Sequence, residues 1–247
     1  MKLLLASQSP RRRQLLAQLG YPLECISLDV DEHVPDGIPA AEIAEMLACR
    51  KAAAFDLSTS NFQFPISDDI VLVAADTVVV LDNQPLGKPA SRQQAIDMLH
   101  ALSGRHHSVY TGVCLRPLTQ TILPERQRTA CDQRGAKQSC LSDSERPATN
   151  MEQSNQAITQ SNNQTIKQSS NQAITHHFSE RTDVYFRPLT DDEIIHYVDT
   201  YKPFDKAGAY GIQEWIGMIG ISRIDGCYYN VMGLPLAALY SHLQTLL

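Results

Sequence analysis

What the sequence has little of narrows the classes of protein to which it can belong. Basic residues are outnumbered by acidic ones, 21 to 27, so the net charge is -6 and no general attraction to nucleic acid or an anionic membrane is expected. Aromatic residues make up 6% of the chain and are not interleaved with basic residues, as they are on RNA-binding surfaces. Any recognition of phosphate must come from a local cluster of side chains, which suits a free nucleotide better than a duplex.

Cysteine pairs and long apolar runs are also missing. The six cysteines are scattered without the short paired spacings of zinc sites or disulfide frameworks, so we expect reduced thiols and a cytoplasmic protein. The apolar stretch before Ser7 is too short for a signal peptide or a membrane span. A length of 247 residues with 43% hydrophobic composition suffices for one core, so we expect a single domain.

Apolar periodicity predicts a series of strands and helices. The predicted start of the first helix is Ser9-Pro10, because serine caps exposed amides and proline suits the first helical position. A valine-rich run at 70–81 predicts a strand buried on both faces. The other predicted strands are residues 3–6, 107–115 and 183–187, and the predicted helices are 11–19, 39–54, 91–102 and 191–200.

A polar insert interrupts this pattern at about residues 119–178. Its Gln, Asn, Ser and Thr composition offers little that could form a core, which predicts a disordered surface loop. The hexapeptide Ser-Asn-Gln-Ala-Ile-Thr at 154–159 recurs at 170–175, so repeat slippage is a plausible origin. A partner-binding or aggregation-prone tract is the alternative. We assign His176 and His177 to the insert, and His106 and His107 to a loop or strand, because neither pair has a metal-ligand pattern around it.

The first strand-to-helix junction has the chemistry of a phosphate site. Ser7 and Ser9 supply hydroxyls there, and Arg11, Arg12 and Arg13 supply guanidinium groups. Amides at a helix N-terminus face an anion, and arginine forks grip phosphate oxygens with charge-assisted hydrogen bonds. An ordinary capped helix with a solvated basic face is the alternative.

Asp76 stands within the valine-rich strand, followed by Thr77. An unpaired carboxylate there would cost several kcal/mol of desolvation, so Asp76 must be paired, bound to a metal or catalytic. The alternative is that Asp76 only forms a structural salt bridge. The acidic turn with Asp29, Asp31 and Glu32 is ordinarily just solvated, and only together with Asp76 does it suggest a divalent-metal site.

Two lysines and a late glycine-rich segment complete the candidates. Lys51 and Lys88 could neutralise charge on a polyphosphate, although each alone is more often a surface lysine. The small residues of segment 205–213 let backbone approach a ligand, and its polar side chains could contact a base or phosphate.

Together these segments resemble the Maf family of nucleotide pyrophosphatases over about residues 1–118 and 179–245. The motifs that carry the resemblance are Ala6-Ser7-Gln8-Ser9-Pro10-Arg11-Arg12, Val30-Asp31-Glu32, Lys51-Ala52, Ala75-Asp76-Thr77, Gly87-Lys88-Pro89, Leu102-Ser103-Gly104, Tyr110-Thr111-Gly112-Val113, Asp205-Lys206-Ala207-Gly208-Ala209-Tyr210-Gly211-Ile212-Gln213 and Val231-Met232-Gly233-Leu234-Pro235. Departures are few: Arg13 adds a third arginine, and Glu214-Trp215 stands where small glycines are common.

The resemblance implies an α/β fold, similar to that of inosine triphosphate pyrophosphatases, with a long mixed twisted sheet, a central cleft and usually a homodimer. It implies hydrolysis of dTTP and UTP to the monophosphate and pyrophosphate with Mg²⁺ or Mn²⁺, which Asp76 and Glu32 would bind. The implied catalytic residues are Asp76 as proton acceptor, Glu32, Lys51 and Lys88. The implied substrate-binding residues are Ser7, Ser9, Arg11, Arg12, Thr77, Asp205, Lys206 and Gln213, and Arg11, Thr77 and Gln213 would set the pyrimidine preference.

Three alternatives stay open at this point. A nucleotide-binding regulator of cell division without turnover is disfavoured by the intact Asp76, Lys51 and Lys88. The same enzyme class acting mainly on modified pyrimidine nucleotides is the second. A plain phosphate-binding or RNA-binding domain is disfavoured by the net acidity.

Overall fold

The computed structural model describes residues 1–35, 37–56, 69–118 and 175–246. The predicted insert lies outside this part of the chain except at its C-terminal end. There the structure differs from the sequence prediction, because residues 176–178 belong to a strand that begins at His176. The assignment of His176 and His177 to the insert is therefore wrong.

The described residues form seven strands and seven helices. The strands are β1 (Lys2–Ala6), β2 (Leu23–Ile26), β3 (Ile70–Leu81), β4 (Gln84–Leu86), β5 (His106–Pro117), β6 (His176–Phe186) and β7 (Ile221–Asp225). The helices are α1 (Pro10–Ala17), α2 (Ala40–Ala53), α3 (Arg92–Leu102), α4 (Asp191–Tyr201), α5 (Trp215–Gly220), α6 (Tyr228–Met232) and α7 (Leu236–Gln244), with a 3₁₀ turn at Ala207–Ala209. No helix in this part of the chain is long and apolar enough to cross a bilayer.

Each element predicted from periodicity is present, and β3 has the predicted bounds. The largest difference is at β6, which begins seven residues before the predicted strand because its first half is polar. Antiparallel pairing with β5 supplies the order that composition did not indicate, since His177 stands opposite Cys114 in the ladder. The short strands and helices β2, β4, β7, α5 and α6 had no periodic pattern long enough to predict.

The strands form one mixed sheet, as the family resemblance implied. Their order is β2-β1-β3-β5-β6-β7, with β4 attached to β3. β1 is parallel to both β2 and β3, whereas β3, β5, β6 and β7 pair antiparallel in succession. The mixed, seven-stranded α/β sheet confirms the predicted fold class.

The two edges of β3 are paired differently. Along one edge, β5 pairs with residues 71–80 of β3. Along the other edge, β1 pairs with residues 70–74 and β4 with residues 79–81. Among the described strands, none pairs with residues 75–78 on that second edge. This gap in the ladder contains Asp76 and Thr77, and it opens the sheet beside them.

Side chains of β3 alternate between two cores, as strand geometry requires. Asp76 projects to the face covered by α2, and Thr77 projects to the face covered by α1 and α6. The strand packs against α2 through Leu72, Ala74, Val78 and Val80, and against the opposite core through Val71, Val73, Ala75 and Val79. Consecutive residues at the gap therefore meet side chains from different helices.

Helix α2 approaches the sheet most closely at Gly112 of β5. This glycine stands opposite Asp76 in the β3–β5 ladder. A Cβ built on Gly112 would lie 2.3 Å from backbone atoms of Ala44 and Glu45. The absence of a side chain at this position lets α2 lie close enough for Lys51, one helical turn beyond Leu47, to reach the Asp76 level of the sheet.

We expect Gly112→Ala to lower the free energy of unfolding by about 3 kcal/mol, because helix backbone cannot yield as a flexible side chain does. Gly87→Ala is the matched control, since a Cβ at Gly87 would meet nothing within 4 Å. Urea unfolding of both variants measures the difference. A loss at Gly112 below about 1 kcal/mol, the size of an average substitution, would contradict this account of the packing.

His107 gives the core a predictable pH dependence. Its Nε2 lies 2.7 Å from the Tyr210 hydroxyl, while its buried Nδ1 has no hydrogen-bond partner among the described residues. Burial lowers the pKa of His107 to about 4, and the neighbouring His106 acts in the same direction. The folded protein therefore holds this ring neutral where the unfolded chain would protonate it.

We expect the free energy of unfolding to fall by on the order of 3 kcal/mol between pH 7 and pH 4, because the unfolded chain takes up a proton near pH 6.5 that the folded state refuses. His107→Gln removes the titrating group, so its stability should decline less over this range. Urea unfolding at pH 7, 6, 5 and 4 would compare the two proteins, and equal declines in stability would contradict the lowered pKa of His107.

Candidate active site

A cleft of about 900 Å³ opens at the gap beside β3. Its lining comes from the β1–α1 junction, the acidic turn before α2, α2 itself, the β3 gap, the segment after β4 and the turns around Asp205 and Gly233. The predicted site residues that line it are Ser7, Ser9, Arg11, Arg12, Glu32, Lys51, Asp76, Thr77, Lys88 and Asp205. Folding thus brings together groups from distant parts of the sequence.

The β1–α1 junction forms one wall in the way its sequence predicts. Ser9 caps α1, since its hydroxyl accepts a hydrogen bond from the Arg12 amide at 3.4 Å, and Pro10 occupies the first helical position. Ser7 accepts from the Ser9 amide at 3.2 Å. These contacts hold the two hydroxyls and the start of α1 at the edge of the cleft.

Arg12 is held on two sides. Its Nε donates to the Gly233 carbonyl at 2.8 Å, and its Nη2 donates to the Thr77 hydroxyl at 2.8 Å. Burial lowers the pKa of the guanidinium from its ordinary value, and the charge of Asp76 opposes that shift. Arginine has five N–H groups, so these two bonds leave donors for a phosphate ligand.

Lys51 lies between two carboxylates. Its Nζ is 2.6 Å from Asp76 Oδ1 and 2.7 Å from Glu32 Oε1. The side chains of Lys51 and Asp76 are 16% and 15% exposed, whereas Glu32 is 53% exposed. Asp76 therefore has the ion pair that its burial requires, and that pair lies in the cleft rather than in a sealed core.

The hydrogen bond from Lys51 holds the pKa of Glu32 below its ordinary value, against the opposing effect of burial. The charges of Lys51, Lys88 and Arg12 shift it in the same direction. Glu32 consequently stays ionised near neutral pH. Lys88 is exposed on the cleft lining, so its charge remains available to a ligand.

The acidic turn is fastened to α2, which also carries Lys51. Arg50 Nη1 donates to the backbone carbonyls of Asp31 and His33 at 2.8 and 2.7 Å. Asp31 Oδ1 accepts from the His33 amide at 2.9 Å, which stabilises the turn locally. Because the turn and the helix are joined in this way, Glu32 and Lys51 keep their relative positions.

Asp205 connects the cleft edge to a buried charge network. It lies 3.0 Å from Arg11 Nη1 and 2.7 Å from Lys206 Nζ. Lys206 is buried and also lies 3.1 Å from Glu214, which accepts a hydrogen bond from Tyr197. Neither Lys206 nor Gln213 is among the residues that line the cleft, so their contacts with a substrate stay predictions.

The carboxylates fit an ion that arrives with a ligand better than a resident ion. Among the described residues, no group of three or more His, Cys, Asp or Glu side chains is placed to hold a metal. Lys51 contacts Asp76 Oδ1 and Glu32 Oε1. Each carboxylate has a second oxygen that could contact an ion. One or two carboxylates with substrate phosphates is the usual protein environment of Mg²⁺.

Three residues that support this site were not among the sequence candidates. Gly233 supplies the carbonyl that accepts from Arg12, and Thr111 and Asn230 continue the hydrogen-bond chain behind Thr77. Gly233 and Thr111 belong to motifs of the resemblance, but their chemical role depends on contacts between residues far apart in sequence. In the sequence, only these motifs could have indicated Gly233 and Thr111, and Asn230 lies outside them.

Comparisons with known proteins agree on one family. The sequence model of the family described as Maf-like protein matches residues 2–146 and 130–246. A dTTP/UTP pyrophosphatase of Bacteroides fragilis is 38% identical over 246 residues, which are 99% of this chain and 96% of that relative. Proteins of the same name from Porphyromonas gingivalis and Flavobacterium johnsoniae are 35% and 33% identical. The alignments cover 98% and 99% of this chain and 93% and 95% of those relatives.

Among solved structures, a nucleoside-triphosphatase / dITP/XTP pyrophosphatase from Mycobacterium abscessus gives a TM-score of 0.33 and 12% identity. The match covers 75% of this chain and 74% of that one. At that TM-score the similarity carries no argument about the site. The sequence relatives and the family match along nearly the whole length are sufficient, and they show that the chain belongs to the Maf family.

Proposed function

We propose that this protein hydrolyses nucleoside triphosphates between the α- and β-phosphates, with dTTP and UTP as substrates and the monophosphate and pyrophosphate as products. The observation that carries the proposal is Lys51 held between Asp76 and Glu32 at 2.6 and 2.7 Å in a cleft that Arg12 and Lys88 also line. The names of the relatives, dTTP/UTP pyrophosphatase, support the choice of nucleotide.

The cleft has the charge distribution that a triphosphate needs. Arg11, Arg12, Lys51 and Lys88 contribute cations from α1, α2 and the segment after β4. Arg11 is paired with the exposed Asp205, so a phosphate can replace that partner with little loss, because exposed ion pairs are weak. The hydroxyls of Ser7 and Ser9 and the start of α1 add neutral donors on the same wall.

Asp76 is the proposed proton acceptor. It would take a proton from the water that attacks the α-phosphorus as the bond to the pyrophosphate oxygen breaks. Lys51, at 2.6 Å, holds the carboxylate in place and keeps a positive charge beside the reacting phosphate. Arg12 and Lys88 would stabilise the charge that the leaving pyrophosphate gains.

A divalent cation, Mg²⁺ or Mn²⁺, would be held by Asp76, Glu32 and the triphosphate itself. When bound, it would withdraw charge from the phosphate oxygens and so favour attack at phosphorus. Glu32 suits this role because it is half exposed and stays ionised beside Lys51.

Arg11, Thr77 and Gln213 stand as the proposed determinants of pyrimidine preference. Arg11 and Thr77 line the cleft. Gln213 directly precedes Glu214, the ion-pair partner of Lys206. We also propose a cytoplasmic homodimer from the family resemblance. Sedimentation of the purified protein would measure that assembly directly.

We expect Asp76→Asn to reduce pyrophosphate release from dTTP and UTP by at least about a hundredfold, the usual effect of losing a general base. Asp82→Asn is the matched control, because Asp82 is an exposed turn residue whose partner is Arg105. Release from dTTP, UTP, CTP, GTP and 7-methyl-GTP would be measured with Mg²⁺ and with Mn²⁺, together with the monophosphate formed.

Each result of this assay has a definite meaning. Turnover of dTTP and UTP that Asp76→Asn abolishes and Asp82→Asn preserves would establish the reaction and the base. Full activity in Asp76→Asn would refute the role of Asp76. Nucleotide binding without turnover in the wild-type protein would instead support a non-catalytic regulator.

A further inference from the structure

A chain of hydrogen bonds runs from the cleft into the core behind Thr77. Arg12 Nη2 lies 2.8 Å from the Thr77 hydroxyl, which lies 3.0 Å from the Thr111 hydroxyl. The Thr111 hydroxyl in turn donates to the backbone carbonyl of Asn230 at 2.9 Å. Thr77 and Thr111 are cross-strand partners in β3 and β5, so the sheet register itself places the two hydroxyls together.

The direction of every hydrogen bond in this chain is determined. A threonine hydroxyl has one hydrogen, and Thr111 commits its hydrogen to a carbonyl, which can only accept. Thr111 must therefore accept from Thr77. Because the Thr77 hydroxyl donates its only hydrogen to Thr111, it can only accept from Arg12 Nη2. The guanidinium, which is always protonated, can only donate.

The inner end of the chain is firmly anchored. Thr111 and Asn230 are fully buried. The Asn230 side chain donates to the Val109 carbonyl at 3.1 Å and to the Thr182 hydroxyl at 3.0 Å. These contacts fix the position of α6 against β5 and β6, and with it the carbonyl that orients Thr111. Buried polar groups held in this way have little freedom to rotate.

We propose that Thr111 is a positioning residue that acts through Thr77 to set the plane of the Arg12 guanidinium for a triphosphate. In this arrangement Thr77 accepts from Arg12 with one lone pair, and its hydrogen is committed to Thr111, so any contact of its hydroxyl with the base would use the second lone pair. The inference rests on the proposed function for its substrate, a nucleoside triphosphate, and its phosphate-binding part holds equally for the pyrophosphate product.

The second anchor of Arg12 explains why Thr111 matters. The Gly233 carbonyl holds Nε, and one bond alone leaves the guanidinium free to rotate about that contact. The Thr77 lone pair at Nη2 fixes the remaining rotation. An arginine guanidinium binds phosphate strongly only when its plane is aligned with the phosphate oxygens. The orientation of Arg12 therefore determines how tightly it binds phosphate.

The test is a double-mutant cycle between Thr111→Val and Arg12→Lys. Valine preserves the shape of threonine without its hydroxyl, and lysine preserves the charge of arginine without its planar fork. We expect T111V to lower kcat/KM for UTP by roughly tenfold to a hundredfold, the range for a misaligned charged hydrogen bond. In the R12K background the same change should cost less than about threefold, because the fork that Thr111 orients is gone.

Two further variants separate positioning from folding. Thr111→Ser keeps the hydroxyl and should recover most of the activity that T111V loses. Tyr210→Phe is the control for loss of a buried hydroxyl, because Tyr210 is buried and its hydroxyl lies 2.7 Å from His107 Nε2, outside the chain from Arg12 to Asn230. It should destabilise the fold in urea unfolding, and any loss of kcat/KM should be equal in the wild-type and R12K backgrounds.

Pyrophosphate binding by calorimetry keeps the inference testable apart from turnover. T111V should weaken binding of pyrophosphate in the wild-type background and leave it nearly unchanged in R12K. Equal losses of pyrophosphate affinity in both backgrounds would show a structural role for Thr111 and overturn the proposal. An unchanged pyrophosphate affinity in T111V would also overturn it. If the wild-type protein binds pyrophosphate but hydrolyses no nucleotide, only the proposed function is refuted. If it binds neither pyrophosphate nor a nucleotide, both the proposed function and the role of Thr111 are refuted.

Discussion

The site depends on the incomplete pairing of β3. One edge is bonded to β5 along almost its whole length, so the strand is fixed in register and buried. The other edge is shared by β1 and β4, which leave residues 75–78 between them. Polar side chains in the middle of a central strand would ordinarily face sealed core. Here the gap opens these side chains to the cleft, while pairing with β5 keeps the strand in place.

Alternation along β3 then assigns different chemistry to the two faces. Asp76 meets α2, where Lys51 joins it to Glu32, and Thr77 meets α1, where Arg12 is held. The acid and the oriented arginine are therefore adjacent in sequence but supported by different helices and different cores. Gly112 makes the first arrangement possible by letting α2 lie directly on the sheet. The buried Thr111 and Asn230 continue the hydrogen bonds behind Thr77 in the second arrangement.

The features that sequence predicted well are those decided locally. The bounds of β3 follow from a continuous apolar run, and the cap at Ser9 follows from the preference of serine for exposed amides. The need of Asp76 for a partner followed from the cost of burying a charge, although the identity of that partner, Lys51, did not. The resemblance supplied the grouping of distant motifs that no local rule could provide.

The features that sequence missed depend on pairing between distant segments. The polar first half of β6 is a strand because β5 offers it a ladder, which composition cannot reveal. The burial of Lys206 beside Glu214 also depends on contacts that the local sequence does not indicate, and its role in substrate binding stays a prediction. The role of Thr111 requires the register of β3 and β5 to be known.

The cations of the cleft form an inner group, Lys51 and Arg12, and an outer group, Lys88 and Arg11. Charge balance explains this division. The inner cations, Lys51 and Arg12, offset the charges of Asp76 and Glu32, so the burial of Lys51, Arg12 and Asp76 is tolerated. A triphosphate carries more negative charge than one divalent ion removes, so additional cations are needed when it binds. Lys88 is exposed, and Arg11 is held by the solvent-exposed Asp205, so both can move to a phosphate at small cost. In the proposed reaction, the inner group would therefore keep the geometry of the site, while the outer group would supply the charge that distinguishes a polyphosphate from a monophosphate.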